Sequence, residues 1–377
     1  MGLEWAGGMQ RLYPAYALYR ESVASAAMRV LFGVFDWGLG HATRDVPLIA
    51  ELLRENEVHI LSTGRALELL RGHFGDRCTY YSVRSIYPPY TRTRLFKLKF
   101  SVSVPKMMRT LKRACRRSRR IIRTGFDIVI SDCRYDVYDR PENSYLINHQ
   151  LRFKTPVGAE RVLERWLASR MRKYRYVFVP DYEANSLTGL LSHDLRYIPP
   201  EKVKYIGILS RLRRQEVAQD IEYFISLSGP EPQRTVLERQ ILAQAAQLPG
   251  PVVIAGGKPN GAPKDRSENV EYHSFLDAGR QEAVMNRAKF IITRSGYTTI
   301  MELAELGKTR VLLLPTPGQT EQEYLADYYE QQKYFHHVSQ YRLRLADDIA
   351  KARKFRGFDP PWKTKDSVER FMNILYS

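Results

Sequence analysis

Residues 290–307 spell out one local fold. Phe290-Ile291-Ile292 is an apolar run and Thr293-Arg294-Ser295-Gly296 is a polar turn; Ile300, Met301, Leu303, Ala304 and Leu306 then recur at helical spacing until Gly307. That order is strand, tight turn, helix, the unit of a parallel α/β sheet. Open backbone N–H groups and the helix dipole make such a helix start a ready anion site. Ser295, Gly296 and Thr298 stand there, and Gly296 has no side chain to block a phosphate. Glu302 lies about two turns further on, where a carboxylate could accept hydrogen bonds from ribose hydroxyls. An ordinary βα turn with a solvated glutamate would carry the same letters, so the rest of the chain must decide.

The same unit appears near the start. A strand over Val30–Phe35 runs into Asp36-Trp37-Gly38-Leu39-Gly40-His41-Ala42-Thr43-Arg44, then a helix carries Val46, Leu48, Ile49, Leu52 and Leu53 on one face, and Val58–Ser62 is the next strand. This βαβ opening predicts a doubly wound parallel sheet. Gly38 and Gly40 let backbone approach a ligand. His41 falls at the strand's carboxyl end, where open α/β sheets bind ligands. A neutral imidazole there could take a proton from an attacking hydroxyl; a helix-start histidine bonded to backbone fits the position equally well.

A chain of 377 residues suggests two domains. The pattern restarts after Pro199-Pro200, which places the boundary at 200–215 and predicts units over 28–205 and 206–355, with 356–377 as a terminal helical segment. Residues 1–27 read as an appended extension. In the first unit, strands over Phe126–Asp132 and Tyr145–Gln150 end in polar tips. Asp132, His149 and Gln150 are therefore candidate acceptor contacts, and Asp36, Asp132 and His149 compete with His41 for the role of base. A helix covers 157–173. In the second unit, Tyr223–Leu227 leads to the turn Ser228-Gly229-Pro230. Val311–Leu314 leads to the tip Thr316–Glu323, with a helix over Tyr324–Tyr334. No apolar run is long enough for a transmembrane helix, and Cys78, Cys115 and Cys133 show no disulfide or zinc spacing, which fits a reducing cytoplasm.

The formal charge of +18, from 59 Lys+Arg against 41 Asp+Glu, implies an anionic partner. Between Arg92 and Arg123 there are thirteen Lys/Arg and no acid. Pro105 can open a helix there, with Met107, Met108, Leu111, Ala114, Cys115, Ser118, Ile121 and Ile122 on one face and seven bases on the other. With Tyr87-Pro88-Pro89-Tyr90 upstream, the segment could rest on an anionic bilayer. Nucleic acid is the rival partner, although no RNA- or DNA-reading module surrounds the segment.

The Gly-Leu-Gly-His loop and Ser-Gly-Tyr-Thr-Thr-Ile-Met-Glu together resemble the GT-B glycosyltransferases, α/β enzymes with two Rossmann-like doubly wound domains facing a cleft. The branch resembled holds the MurG-like and UDP-glucuronosyltransferase-like enzymes. The resemblance implies a nucleotide-sugar, a UDP-sugar by preference, as co-substrate and no cofactor. It puts Ser295, Gly296 and Thr298 near the donor's phosphates, Glu302 on the ribose and Gln322 on the donor sugar, and matches Ser228 and Gly229 to the first donor-binding loop. His41 matches the relatives' histidine that serves as base or as a positioning group, with base the role expected here; Gly38, Gly40, Asp132 and His149 stand on the acceptor side, and the terminal helix crosses back onto the first domain. Two departures stand out: the donor loop is Ser-Gly-Pro-Glu-Pro, and the family's Asp-Gln pair is Glu321-Gln322. No Asp-x-Asp triplet is present to hold a metal, so charge on the leaving phosphate falls to the helix start. The expectation is an inverting, metal-independent transferase on the cytoplasmic membrane face, with an acceptor that could be lipid-linked. A soluble small-molecule transferase, a sugar-nucleotide epimerase of the same fold and a basic nucleic-acid-binding protein remain alternatives.

Overall fold

The computed structural model describes residues 27–84, 96–152, 158, 160–258, 261 and 267–377, with side chains of 96–108 left aside. The expected extension up to residue 26 and the stretch Tyr87–Tyr90 lie outside the described residues.

Val30, Leu31, Phe32 and Val34 are all 0% exposed. A strand buried on both faces needs covering layers on each side, and parallel pairing supplies them through crossover helices. Accordingly β1 (Arg29–Val34), β2 (Glu57–Ser62), β3 (Thr79–Ser82), β4 (Ile128–Asp132), β5 (Ser144–Ile147), β6 (Tyr176–Val179) and β7 (Val203–Tyr205) form one sheet in the order 3-2-1-4-5-6-7. A second sheet holds β8 (Ile221–Ser226), β9 (Val252–Ala255), β10 (Val270–His273), β11 (Ala288–Thr293), β12 (Val311–Leu313) and β13 (His336–His337) in the order 10-9-8-11-12-13. Every pairing in both is parallel. The winding reverses between β1 and β4 in the first sheet and between β8 and β11 in the second. Crevices for ligands open at such reversals, beyond the carboxyl ends of the strands.

The helices in chain order are α1 (Gly40–Leu52), α2 (Gly64–Phe74), α3 (Phe96–Ile122), α4 (Glu160–Met171), α5 (Gln233–Ala245), α6 (Ala278–Arg287), α7 (Tyr297–Leu306), α8 (Thr320–Gln331), α9 (Leu345–Ala352) and α10 (Thr364–Leu375). Two differ from expectation. The basic helix does not open at Pro105 but runs through it from Phe96; proline's φ near −65° is helical, and the helix continues although the residue supplies no N–H to the carbonyl of Ser101. Helix α8 begins at Thr320 rather than Tyr324, because Glu321 and Glu323 favour its N-terminal end, and it stops early where Lys333 adopts φ +60°. Glu321 and Gln322 therefore sit on a helical turn and not on the loop.

Ala114, Ser118 and Ile122 bury one side of α3, while Arg109, Lys112, Arg113, Arg116, Arg117, Arg120 and Arg123 are exposed on the other. Helix α10 lies against the first sheet's layers: Phe371, fully buried, meets Phe178 with ring centroids 4.6 Å apart, and Asn56 Nδ2 donates to Tyr376 Oη at 3.0 Å. Replacing Phe371 with Ala removes the aromatic anchor and is expected to lower stability by about 3–5 kcal/mol, read from the midpoint of urea unfolding. An unchanged midpoint would mean that this helix does not dock.

Candidate active site

The crevice of the first sheet is set by register. Val34 pairs with Asp132, so the last residues of β1 and β4 stand side by side. Beyond β1 the chain turns at Gly38, with φ +77°, and enters α1 at Gly40, which puts His41 over Asp132. Its Nδ1 lies 2.8 Å from Asp132 Oδ2. Two groups reach this nitrogen, the Asp132 carboxylate as an acceptor and Arg44 Nη2, 2.9 Å away, as a donor; the charge-assisted bond to the carboxylate is the stronger, which places the proton on Nδ1. Nε2 is left with its lone pair and no bond to a described residue. Burial lowers the imidazole's proton affinity while Asp132 opposes the shift, and the ring is held neutral below its ordinary range. Phe35 meets the ring edge-on at 5.2 Å and Trp37 stands half-exposed beyond it.

Asp132 itself is 0% exposed. Burial opposes its charge, but Arg44 and His41 outweigh that and hold the carboxyl well below the ordinary range. Both oxygens are engaged, by Arg44 and by His41. Expected as an acceptor contact or a rival base, Asp132 is instead enclosed behind His41 and orients it. His149 is also buried rather than open to an acceptor. Arg44 Nη1 donates to His149 Nδ1 at 2.9 Å. Arginine cannot accept, so the proton of His149 sits on Nε2, which donates to Glu321 Oε1 at 3.2 Å. His149 also stacks on Tyr297, the first residue of α7, at 4.8 Å and 11°. Asp36, the remaining rival base, has its carboxyl raised by burial with Arg134 opposing.

The second sheet presents its own crevice to the first. A Cβ on Gly40 would sit 2.8 Å from Thr298 Oγ1, so only glycine admits that approach. Tyr297 Oη donates to Pro180 O at 2.5 Å and Tyr328 Oη to Ser186 O at 2.8 Å across the same junction. Ser228 and Gly229 follow β8, Gly229 with φ +108°. Gly296 caps α7, and no side chain closes the cap. Ser295 is fully buried and donates Oγ to Gln322 O at 2.8 Å, so its hydroxyl joins α7 to α8 and does not face the cleft. Gln322 Oε1 accepts from Thr316 N at 2.9 Å.

Glu302 is 5% exposed and no described donor reaches its carboxylate; Arg211 Nε, itself buried without a hydrogen-bond partner, stands 3.9 Å away. Burial pushes the carboxyl up to about 7, with Arg211 opposing. Such a pair has spare capacity for hydroxyls that both donate and accept. Five residues of this arrangement were not singled out from sequence: Arg44, Arg211, Arg294, Tyr297 and Thr316. Arginine is common here and gave no signal; the aromatic Tyr297 at a helix start was the one available hint.

Residues 234–371 match the model of the glycosyltransferase family 28 C-terminal domain, and residues 28–138 that of glycosyl transferase family 1. No curated protein matches the chain in sequence. Among solved structures, the spinosyn rhamnosyltransferase SpnG complexed with thymidine diphosphate is similar over 92% of this chain and 96% of its own, at 16% identity and a TM-score of 0.60. The calicheamicin glycosyltransferase CalG4 is similar over 93% and 92%, at 15% identity and 0.60. MurG of Acinetobacter baumannii is similar over 92% and 95%, at 12% identity and 0.52. These likenesses concern the fold, two facing α/β domains of the GT-B type.

A carboxyl raised in the folded state favours folding while it is protonated. Relative to Glu302→Gln, the native protein should therefore lose stability as pH rises from about 4.5 to about 7, by up to about 3 kcal/mol. Unfolding midpoints across that window test this; a difference independent of pH would mean Glu302 is already ionised when folded.

Proposed function

We propose that this chain, a glycosyltransferase of the GT-B type, moves a sugar from a nucleoside diphosphate donor to an acceptor hydroxyl in one inverting step, with His41 as the general base. One observation carries the reading: the free Nε2 of a neutral, carboxylate-oriented histidine opens beside the uncapped start of α7, where Gly40 meets Thr298. The acceptor O–H gives its proton to Nε2, its oxygen forms the new bond to the anomeric carbon, and the bond to the donor's phosphate oxygen breaks. Asp132 stabilises the imidazolium that results. Attack opposite the leaving group, made once, inverts the centre.

Negative charge on the departing diphosphate is met by the backbone N–H groups of Gly296 to Thr298 and by the helix dipole, so transfer proceeds without a metal. Ser228 and Gly229 complete the phosphate cradle, Glu302 with Arg211 takes the ribose hydroxyls, and Gln322 lies on the sugar side. A pyrimidine nucleotide, UDP by preference, fits a family branch of this kind; the thymidine diphosphate in the SpnG structure is of the same class. Residues 206–220, between the two sheets, serve as the hinge.

The exposed bases of α3 belong to the unit that holds the acceptor. Each base near an anionic bilayer contributes about 1 kcal/mol, so a lipid-linked acceptor at the inner membrane face is the proposed substrate. Among the described residues no helix is long and apolar enough to cross a membrane, and α3 would hold the protein at the surface.

Thermal shift with a panel of nucleoside diphosphates and nucleotide-sugars comes first. UDP and one UDP-sugar should stabilise the native protein and fail to stabilise Glu302→Ala. His41→Ala should keep that stabilisation and lose transfer by about 100-fold or more. A folded protein that no nucleotide stabilises would end the transferase reading. Replacing Arg113, Arg116, Arg117 and Arg120 with Glu should abolish salt-sensitive sedimentation with phosphatidylglycerol vesicles and leave nucleotide binding intact; binding to RNA instead of vesicles would replace the membrane with nucleic acid.

A further inference from the structure

Three arginines rank among the largest fully enclosed side chains: Arg44, Arg134 and Arg294. Arg44 is ion-paired with Asp132 and Arg134 with Asp136. Arg294, 2% exposed, has no described carboxylate within ion-pair distance. Its five N–H groups are nevertheless all used. Nε donates to Ser228 O at 3.3 Å, Nη1 to Leu314 O and Pro315 O at 3.0 and 3.2 Å, and Nη2 to Gln233 O and Gln340 Oε1 at 3.4 and 2.8 Å. These partners lie just past β8 and β12, at the start of α5, and on Gln340. The guanidinium thus binds together the loops at the mouth of the second sheet while its charge stays unmatched. Burial without a counter-ion pulls its pKa down to about 10.

A lone buried charge is among the least favourable things a fold can hold. Neutral groups could tie the same carbonyls, so the charge calls for a separate reason. A second observation lies beside it. The hydroxyl of Thr316, 1% exposed, has no hydrogen-bond partner. A Cβ built on Gly229 would be 3.4 Å from that hydroxyl and 3.8 Å from Arg294 Nε. The unmatched cation and the unmatched donor therefore both lie directly under the Gly229 backbone, in the loop that faces the open start of α7.

We propose that Arg294 is the built-in counter-charge of the donor site, selecting by its field a ligand that carries a diphosphate over Gly229 and Gly296. This rests on the donor site argued above and adds to it the ligand's charge class. With no N–H to spare, Arg294 makes no contact with the ligand. It is a positioning residue, and it acts at short range through a medium where charges are weakly screened. The Thr316 hydroxyl turns to the same anion. Donors of two phosphates are favoured over those of one, and a nucleoside without phosphate gains nothing from the arginine.

Calorimetric dissociation constants test this with UDP, TDP, UMP, uridine and inorganic pyrophosphate as probes. Arg294→Gln should weaken the diphosphates and pyrophosphate by about tenfold or more, weaken UMP less, and leave uridine unchanged. Arg294→Lys, which keeps the charge but not the fork, should retain most of the diphosphate affinity. Equal weakening of all probes, or a lysine variant as weak as the glutamine one, would reduce Arg294 to a loop staple and overturn the proposal. Thr316→Asp covers the case in which Arg294 variants do not fold. It leaves the arginine in place but neutralises it, and should raise the melting temperature of the free protein while lowering pyrophosphate affinity. A lower melting temperature with pyrophosphate affinity intact would count against the proposal. Native protein that binds none of the diphosphates would instead remove the donor site itself, a failure visible before any variant is made.

Discussion

A carboxylate taken wholly out of water must be matched or it gives up its charge, and Asp132 is matched twice. Arg44 closes on one side and His41 Nδ1 on the other. Because arginine only donates, the direction of two further bonds follows: Arg44 to His149, and His149 to Glu321 on α8. A network thereby runs from His41 in one domain to the first turn of a helix in the other, converging on Asp132 and passing outward from Arg44 through His149 to Glu321. Removing any member strands a buried partner, which is why the arrangement is rigid. All of it depends on Asp132 ending β4 opposite Val34; a slip of one residue would turn that side chain to the other face of the sheet.

Both halves solve the same topological problem, and their solutions face each other. Each sheet reverses its winding beside its first strand, and each reversal opens a crevice at the strands' carboxyl ends. One crevice holds His41 over Asp132, the other the uncapped start of α7 and the Ser228-Gly229 turn. Gly40 stands against Thr298 between them, and a side chain there would meet the Thr298 hydroxyl.

Much of this was legible in the chain. The two strand–turn–helix units, the parallel winding, His41 at a strand's end and Glu302 on α7 all follow from periodicity and turn chemistry, because those signals are local. What depends on distant partners was not legible. Asp132 looks like a polar strand tip until burial shows it enclosed, and His149 does likewise. Arg44 and Arg294 are two letters among 59 Lys+Arg, and only the absence of water around them sets them apart. The short edge strands β3 and β13 carry too few residues to show an alternation. Pro105 signals a start because its missing N–H costs nothing in a first turn, yet α3 accepts the lost bond in its interior.

Glu302 and Arg294 press the fold in the same direction. One is a carboxylate with no hydrogen bond from a described donor and Arg211 only 3.9 Å away, the other a guanidinium with no described acid within ion-pair distance, and each is buried within the second half of the chain. Packing alone would replace both, since Arg211 at 3.9 Å offsets Glu302 only loosely and no described acid offsets Arg294. Arg44 and Arg134 show that the same fold pairs its buried arginines where structure is the only demand. A sheet mouth that leaves a cation and an acid unmatched, under a glycine loop and beside an open helix start, has the polarity of a ligand with an anionic centre and hydroxyls at one end. On the donor reading proposed above, what is unfavourable in the protein alone is what an anionic ligand would relieve on binding.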